Sequence, residues 1–284
     1  MESRSLRYFA AVAEELNFAR AAQRLEIAPP SLSRAIRKLE AELGVTLFER
    51  TTHRVALTPA GTVLLTESHI ALDALQAAGR RAQRAADPEP KLVLAVKADN
   101  AGELLQPILA RYAADPAAEA VAIRLCGWGE HTRLLREGHA DAALLYEPFD
   151  RTGLDAEEVT TEPRVAALGA AHPLAGRDRD GVGVRLAELA LPGVEPDRPG
   201  DVERYLDGIA GRHRVRDLPE LLMLVELGEL VTLLPESVAA RYPRPGVVYR
   251  PVPDAPPATL VIAWPHQSRS RATAALVRAA TAET

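Results

Sequence analysis

The chain has 284 residues, 47% of them hydrophobic, with a formal net charge of −5, which is enough for a small domain plus a larger one. No run reaches the roughly 18 apolar residues that a bilayer-crossing helix needs, and Met1-Glu2-Ser3-Arg4 leads into a polar amphipathic stretch, so a soluble cytoplasmic protein with no membrane contact is expected. Cys126 is the single cysteine, the seven histidines show no metal-ligand spacing and no serine stands in a G-x-S-x-G elbow; disulfide frameworks, metal centres, cofactors and catalysis are therefore not expected.

The charge is unevenly placed: residues 1–58 sum to +2 and residues 91–284 to −6. In chain order, Leu6, Phe9, Val12, Ala13 and Leu16 predict the inner face of a first helix. Asn17 is a candidate N-cap for a second, with Phe18, Ala22 and Leu25 inward. After the short connection Glu26-Ile27-Ala28, Pro29-Pro30 opens a third helix, because proline is tolerated only in a first turn. Leu32, Ile36, Leu39 and Leu43 make one buried stripe in it, which leaves Ser31, Ser33, Arg34, Arg37 and Lys38 facing outward, and Gly44 fits a helix stop.

Arg50 to Leu57 follows with turn residues between short extended pieces, a two-stranded wing. Thr58-Pro59 starts a long helix running to about Ala86, with Leu64, Ser68, Ala71, Leu75, Ala78, Ala82 and Ala85 at heptad spacing, a small-residue seam suited to close helix pairing. Packing on its own domain is the alternative use of that seam. Asp87-Pro88-Glu89-Pro90 reads as a linker.

Beyond Lys91, short β-branched runs alternate with helical segments, predicting βαβ units and a mostly parallel sheet. Strands are expected at 92–96, 121–125, 142–146, 191–195 and 260–264. Helices are expected at about 101–113, 130–138, 201–211, 218–228 and 268–282.

A short helix, a three-residue turn, a helix with an outward basic face and a basic hairpin together fit a recognition helix with a wing. Arg34 can donate a bidentate pair to guanine, and Ser31 and Ser33 can reach bases or phosphates. Arg37, Lys38, Arg50 and Arg54 are phosphate candidates that set affinity and register, and Arg20 and Pro30 complete the candidate DNA contacts.

Leu6-Arg7-Tyr8-Phe9, Phe18-Ala19-Arg20-Ala21-Ala22, Leu32-Ser33-Arg34, Leu43-Gly44, Leu47-Phe48-Glu49-Arg50 and Leu57-Thr58-Pro59-Ala60-Gly61, in order and with the family spacing, resemble the LysR-type transcriptional regulators. The resemblance continues more loosely through LLREGHAD at 134–141, His172-Pro173-Leu174-Ala175, Leu233-Leu234-Pro235-Glu236-Ser237 and Val247-Val248-Tyr249-Arg250-Pro251. It implies an α+β multidomain protein: a winged helix-turn-helix over 1–58, a dimerising linker helix and hinge over 59–90, and a two-lobed α/β effector domain over 91–284 like a periplasmic binding protein. Lobe 1 is expected at about 91–162 and 265–284, and lobe 2 at about 163–264. The resemblance also implies a homodimer or homotetramer on double-stranded operator DNA, a small-molecule effector, and contact with RNA polymerase. Two positions depart from the family pattern. Pro29 stands where the family commonly has a DNA-contacting glutamine, and Leu230 where it favours a glycine.

In an α/β sheet, ligands bind at the carboxyl ends of strands. Here those ends are Ala98-Asp99-Asn100, Gly127-Trp128 and Tyr146-Glu147, so Asp99, Asn100, Trp128 and Tyr146 are effector candidates, with Arg198 facing the cleft from the second lobe. Asp99 serves equally as an N-cap, Trp128 as core and Arg198 as surface. If Asp99 lines the site it repels a carboxylate, which favours a neutral or cationic effector. Three other readings are weighed: an exported solute-binding protein, an enzyme with Cys126 as nucleophile, and a helix-turn-helix protein that binds a protein partner.

Overall fold

A computed structural model describes residues 1–50, 55–97, 102–176, 183–195, 198, 200–213 and 215–282. The chain divides into two compact units, Met1–Ala86 with Arg136–Gly138, and Asp87–Leu135 with His139–Thr284.

In the first unit, α1 (Ser3–Glu15) buries Leu6, Phe9, Val12 and Ala13. Leu16, expected on the same face, is instead the left-handed C-cap (φ 45°) and is 47% exposed. The helix stops there because Asn17 caps α2 (Phe18–Arg24), its Oδ1 accepting from the backbone N–H of Ala19 at 2.9 Å and of Arg20 at 3.1 Å. α3 (Pro29–Leu43) carries its prolines in the first turn and buries Leu32, Ile36 and Leu39, whereas Leu43, expected in the stripe, is left half-exposed in the last turn. Gly44 ends the helix at φ 70°, a conformation that costs glycine nothing.

β1 (Phe48–Arg50) and β2 (Val55–Leu57) pair antiparallel, Phe48 opposite Leu57, as the wing. Phe9, Phe18 and Phe48 pack ring to ring at 5.4 and 5.7 Å, tying the three-helix core to the wing. α4 (Pro59–Ala85) starts on Thr58, whose Oγ1 accepts from Gly61 N–H at 2.9 Å. A Cβ on Gly61 would lie 2.2 Å from the Leu47 carbonyl oxygen, so this turn admits only glycine. Along the α4 seam Ser68 is buried and Leu64 and Ala71 are half-buried, but Leu75 is 53% exposed and Ala78 and Ala82 are exposed.

In the second unit the described strands form two sheets. The larger has the order β4-β3-β5-β10-β6, from β3 (Lys91–Val96), β4 (Ala120–Leu125), β5 (Ala142–Tyr146), β6 (Leu154–Glu162) and β10 (Ala258–Pro265). Its faces alternate with the two-residue period of a pleated strand. Leu94, Leu144, Leu260 and Ile262 bury against α5 (Leu105–Ala113) and α10 (Arg271–Thr281). Ala95, Ala143, Leu145, Val261 and Ala263 bury on the other side with Leu134 and Leu135 of α6 (Glu130–Arg136).

The smaller sheet, order β8-β7-β9, comprises β7 (Arg164–Gly169), β8 (Thr232–Pro235) and β9 (Val247–Pro251). It packs with α7 (Asp201–His213), α8 (Leu218–Glu226) and α9 (Glu236–Arg241) around Leu168, Ile209, Leu221 and Leu222.

Three expectations are corrected. Only β3 with β4 and β3 with β5 run parallel; β5, β6 and β10, and all of the smaller sheet, pair antiparallel, so the sheet is not mostly parallel. Residues 258–264, assigned to the second lobe, lie in β10 between β5 and β6 and so belong to the first. Residues 191–195 form no strand: Pro192 and Gly193, the glycine at φ 75°, make a turn.

Candidate nucleic-acid interface and effector cleft

On the first unit, α3 presents Ser31, Arg34, Arg37 and Lys38 exposed and Ser33 half-exposed, with Pro30 exposed at its start. The Arg34 Nε–H reaches only the Pro30 carbonyl, at 3.4 Å, and among the described residues Arg34, Arg37 and Lys38 make no ion pair. The neighbouring cations are committed inside the unit. Arg20 pairs with Glu15 at 2.6 Å and Arg24 with Glu14 at 2.6 Å.

Arg50 donates to Glu40 at 3.1 Å and lies 4.6 Å from the centre of the Phe18 ring. Glu40 in turn accepts the backbone N–H groups of Leu47 and Phe48 at 2.9 and 3.3 Å. Arg50 thus braces the entry to the wing, a role no local sequence signal announced. Arg54 lies outside the described residues. The arrangement leaves one helix face whose cations are free to meet phosphates and base edges, beside cations already neutralised.

On the second unit a cavity of about 320 Å³ opens between the two sheets. The chain crosses between them twice, outward at Glu162–Arg164 and back between Pro251 and Ala258. Trp128 and Tyr146 both line the cavity. Lys97, at the end of β3, holds its Nζ 4.4 Å from the centre of the Trp128 ring, so one indole face is already covered by a cation. Tyr146 donates its hydroxyl to Glu162, which also accepts the backbone N–H and the hydroxyl of Ser237 at 2.7 and 2.9 Å. Burial and this carboxylate push the tyrosine's pKa far above its ordinary value, so the hydroxyl stays a donor.

Arg198 lies elsewhere: it is 65% exposed in a separate depression with Asp201, 3.8 Å away, and does not line the cleft as expected. Asp201 also accepts Glu195 N–H at 3.0 Å. Asp99 and Asn100 lie outside the described residues. Three lining groups were not anticipated: Lys97, His131 and Arg164. His131 is 5% exposed and its Nε2 has no partner among the described residues. Burial, and then Lys97, push its pKa down to about 4, so the ring is neutral at physiological pH. The only advance signal for Arg164 was its place at the head of the apolar run Val165–Leu168.

The Cys126 thiol is pushed up to about 11, first by burial and then by Glu130, the opposite of an activated nucleophile. No group of side chains that could hold a metal occurs, and no helix is long and apolar enough to cross a membrane, among the described residues.

Residues 3–62 match the family model described as bacterial regulatory helix-turn-helix protein, lysR family, and residues 85–284 match the LysR substrate binding domain. The chain is similar to the HTH-type transcriptional regulator AlsR of Bacillus subtilis (strain 168), 37% identical over 179 residues, an alignment spanning 63% of this chain and 59% of that protein. It is also similar to the HTH-type transcriptional regulator BudR of Raoultella terrigena, 32% identical over 95% of this chain and 97% of that one. Among solved structures, a full-length mutant of BenM superposes with a TM-score of 0.51 at 27% identity, covering 99% of this chain and 95% of that chain.

Proposed function

The chain belongs to the LysR family of DNA-binding transcriptional regulators, whose members carry an effector-binding domain, and from that premise we propose that α3 reads operator DNA while the cleft between the two sheets holds the effector. The observation that carries the reading is the outward face of α3, where Arg34, Arg37 and Lys38 stand exposed, without ion pairs among the described residues, beside Ser31 and Ser33. Residues 1–58 form the DNA-binding domain, 59–90 the pairing helix and hinge, and 91–284 the effector domain. The lobes are then 91–162 with 258–284, and 163–257.

In this reading Arg34 is the base reader and Arg37 and Lys38 hold phosphates, while Pro30 shapes the backbone at the groove. Arg20 and Arg50 reach phosphate only by loosening contacts to Glu15 and Glu40, and the wing tip with Arg54 follows the neighbouring backbone. The uncovered half of the α4 seam, with Leu75, Ala78 and Ala82, pairs with a second copy, giving a homodimer or a homotetramer. Two winged units then read half-sites about one helical turn, or a multiple, apart. The protein acts in the cytoplasm, where an effector-driven change between lobes alters promoter DNA and the contact with RNA polymerase. The relatives are regulators, and no catalytic step enters this reading.

The test is Arg34→Ala, titrated by fluorescence anisotropy against a duplex that the wild-type protein selects from a random pool. Loss of about 1–3 kcal/mol on that duplex, with little change on unselected DNA, is expected. Equal loss on both would remove Arg34 from base reading.

A further inference from the structure

The cleft contains a cation that no described carboxylate answers at ion-pair distance. Arg164 is 4% exposed, and among the described residues its one hydrogen bond is from Nε to the Pro256 carbonyl at 3.0 Å. It makes no ion pair among the described residues, and its guanidinium lines the cavity. A buried guanidinium cannot escape its desolvation cost by losing a proton, so a site of this kind is stable only to the extent that an anion answers it.

The carboxylates around it are engaged. Glu147 pairs with Arg151, and Asp150 accepts from the Thr152 backbone and hydroxyl at 3.0 and 2.6 Å. Glu162 holds Tyr146 and Ser237, and both it and Glu203 act on Arg164 only at longer range. Lys97 adds a second positive charge to the lining. The remaining walls, including Phe149, Leu206, Leu218, Leu233 and Val238, are apolar.

Resting on the cleft as the effector site, we propose that the effector is a compact organic anion, a carboxylate or similar oxyanion with an apolar body, whose charged end is held by Arg164. This reverses the neutral or cationic effector favoured by Asp99 in the sequence. The position of Arg164 also gives the anion leverage. Arg164 opens β7 on the outward crossover, and its Nε bond to Pro256 ties that crossover to the returning one. A ligand that draws on this guanidinium therefore acts at the double strand that joins the two lobes.

The test uses the full chain and matched probes that differ in charge alone: hexanoate against hexanamide, and cyclohexanecarboxylate against cyclohexanecarboxamide, followed by thermal shift and calorimetry into the millimolar range. The wild type is expected to be stabilised by the acids and not by the amides. Arg164→Met is expected to weaken acid binding on the order of 10- to 100-fold, as loss of a charged hydrogen-bond pair does, with the ligand-free melting temperature unchanged or raised because an uncompensated charge is gone. Arg164→Lys, which keeps the charge without the fork, is expected to retain a weaker preference for acids.

Equal binding of acid and amide overturns the anion while leaving the cleft as the effector site. Acid binding that survives Arg164→Met overturns the residue assignment, and a sharp fall in ligand-free stability in that variant shows Arg164 to be a structural brace instead. No response of the wild type to any of the four probes overturns the proposal and counts against the cleft as well.

Discussion

The two units handle unpaired positive charge in opposite ways. On α3, Arg34, Arg37 and Lys38 stand in water, where an ion costs little to maintain and a polyanion gains by releasing its counterions. In the cleft, Arg164 is 4% exposed among apolar walls, where the same charge is expensive until a ligand answers it. The first arrangement suits a large partner recognised through many weak contacts that salt screens. The second suits a small partner chosen by one strong contact from which water is excluded. Each unit therefore spends its arginines according to the dielectric around them.

If each unit folds as a body of its own, damage to one should stay in it. Phe9 is fully buried at the ring cluster with Phe18 and Phe48, so Phe9→Ala should cost the winged unit about 3–5 kcal/mol. Both tryptophans, Trp128 and Trp264, lie in the second unit and report on it alone. Both units contain helices, so urea unfolding should show part of the helical circular dichroism change moving to lower urea while the tryptophan fluorescence transition holds its place. Transitions that move together would show one cooperative body and break the comparison.

The cleft should also carry a pH dependence through His131. His131 titrates near 4 when folded and near 6.5 when unfolded. Between those values the unfolded chain takes up a proton that the native one refuses. Stability is therefore full above about pH 6.5 and falls by about 1.4 kcal/mol per pH unit toward pH 4, levelling off below it. Tryptophan-monitored urea unfolding at about pH 7 and pH 5 should give a loss of about 2 kcal/mol for the wild type, largely absent in His131→Leu. An equal loss in both proteins would mean that His131 is hydrated in the native state.

Legibility from sequence divides along the same line. The winged unit is built from short-range signals: the Asn17 and Thr58 caps, prolines in first turns, and the Leu32, Ile36, Leu39 stripe, all fixed by residues within a turn or two of one another. The second unit depends on long-range pairing. β6 (Leu154–Glu162) carries Asp155, Glu157 and Glu158, and is a strand because it forms the edge of a sheet beside β10, a hundred residues away in sequence. The apolar Leu191-Pro192-Gly193-Val194 looks extended but turns at Gly193. Trp128 and Tyr146 could be found in advance because strand ends are local features. Arg164 could not, because the groups that meet it, Pro235 of β8 and Pro256 on the returning crossover, are about 70 and 90 residues away, and Arg198 looked similar from sequence while lying in water.

The smallest expected effect separates engaged from free cations within the winged unit. Arg50 and Arg37 are both basic and near the proposed DNA face, yet Arg50 is held by Glu40 and the Phe18 ring while Arg37 is exposed and has no ion pair among the described residues. Arg50→Ala should lower the unit's unfolding free energy by about 1 kcal/mol through the lost ion pair and ring contact. The slope of log affinity against log salt should stay near its wild-type value, since no phosphate contact is removed. Arg37→Ala should do the reverse, leaving stability within about 0.5 kcal/mol and reducing the salt slope by about 0.9, one phosphate contact. If Arg50→Ala instead reduces the slope as Arg37→Ala does, the arginine leaves Glu40 on DNA binding. The brace at the wing is then released when the protein engages DNA, and the carboxylate of Glu40 keeps the Leu47 and Phe48 N–H groups alone.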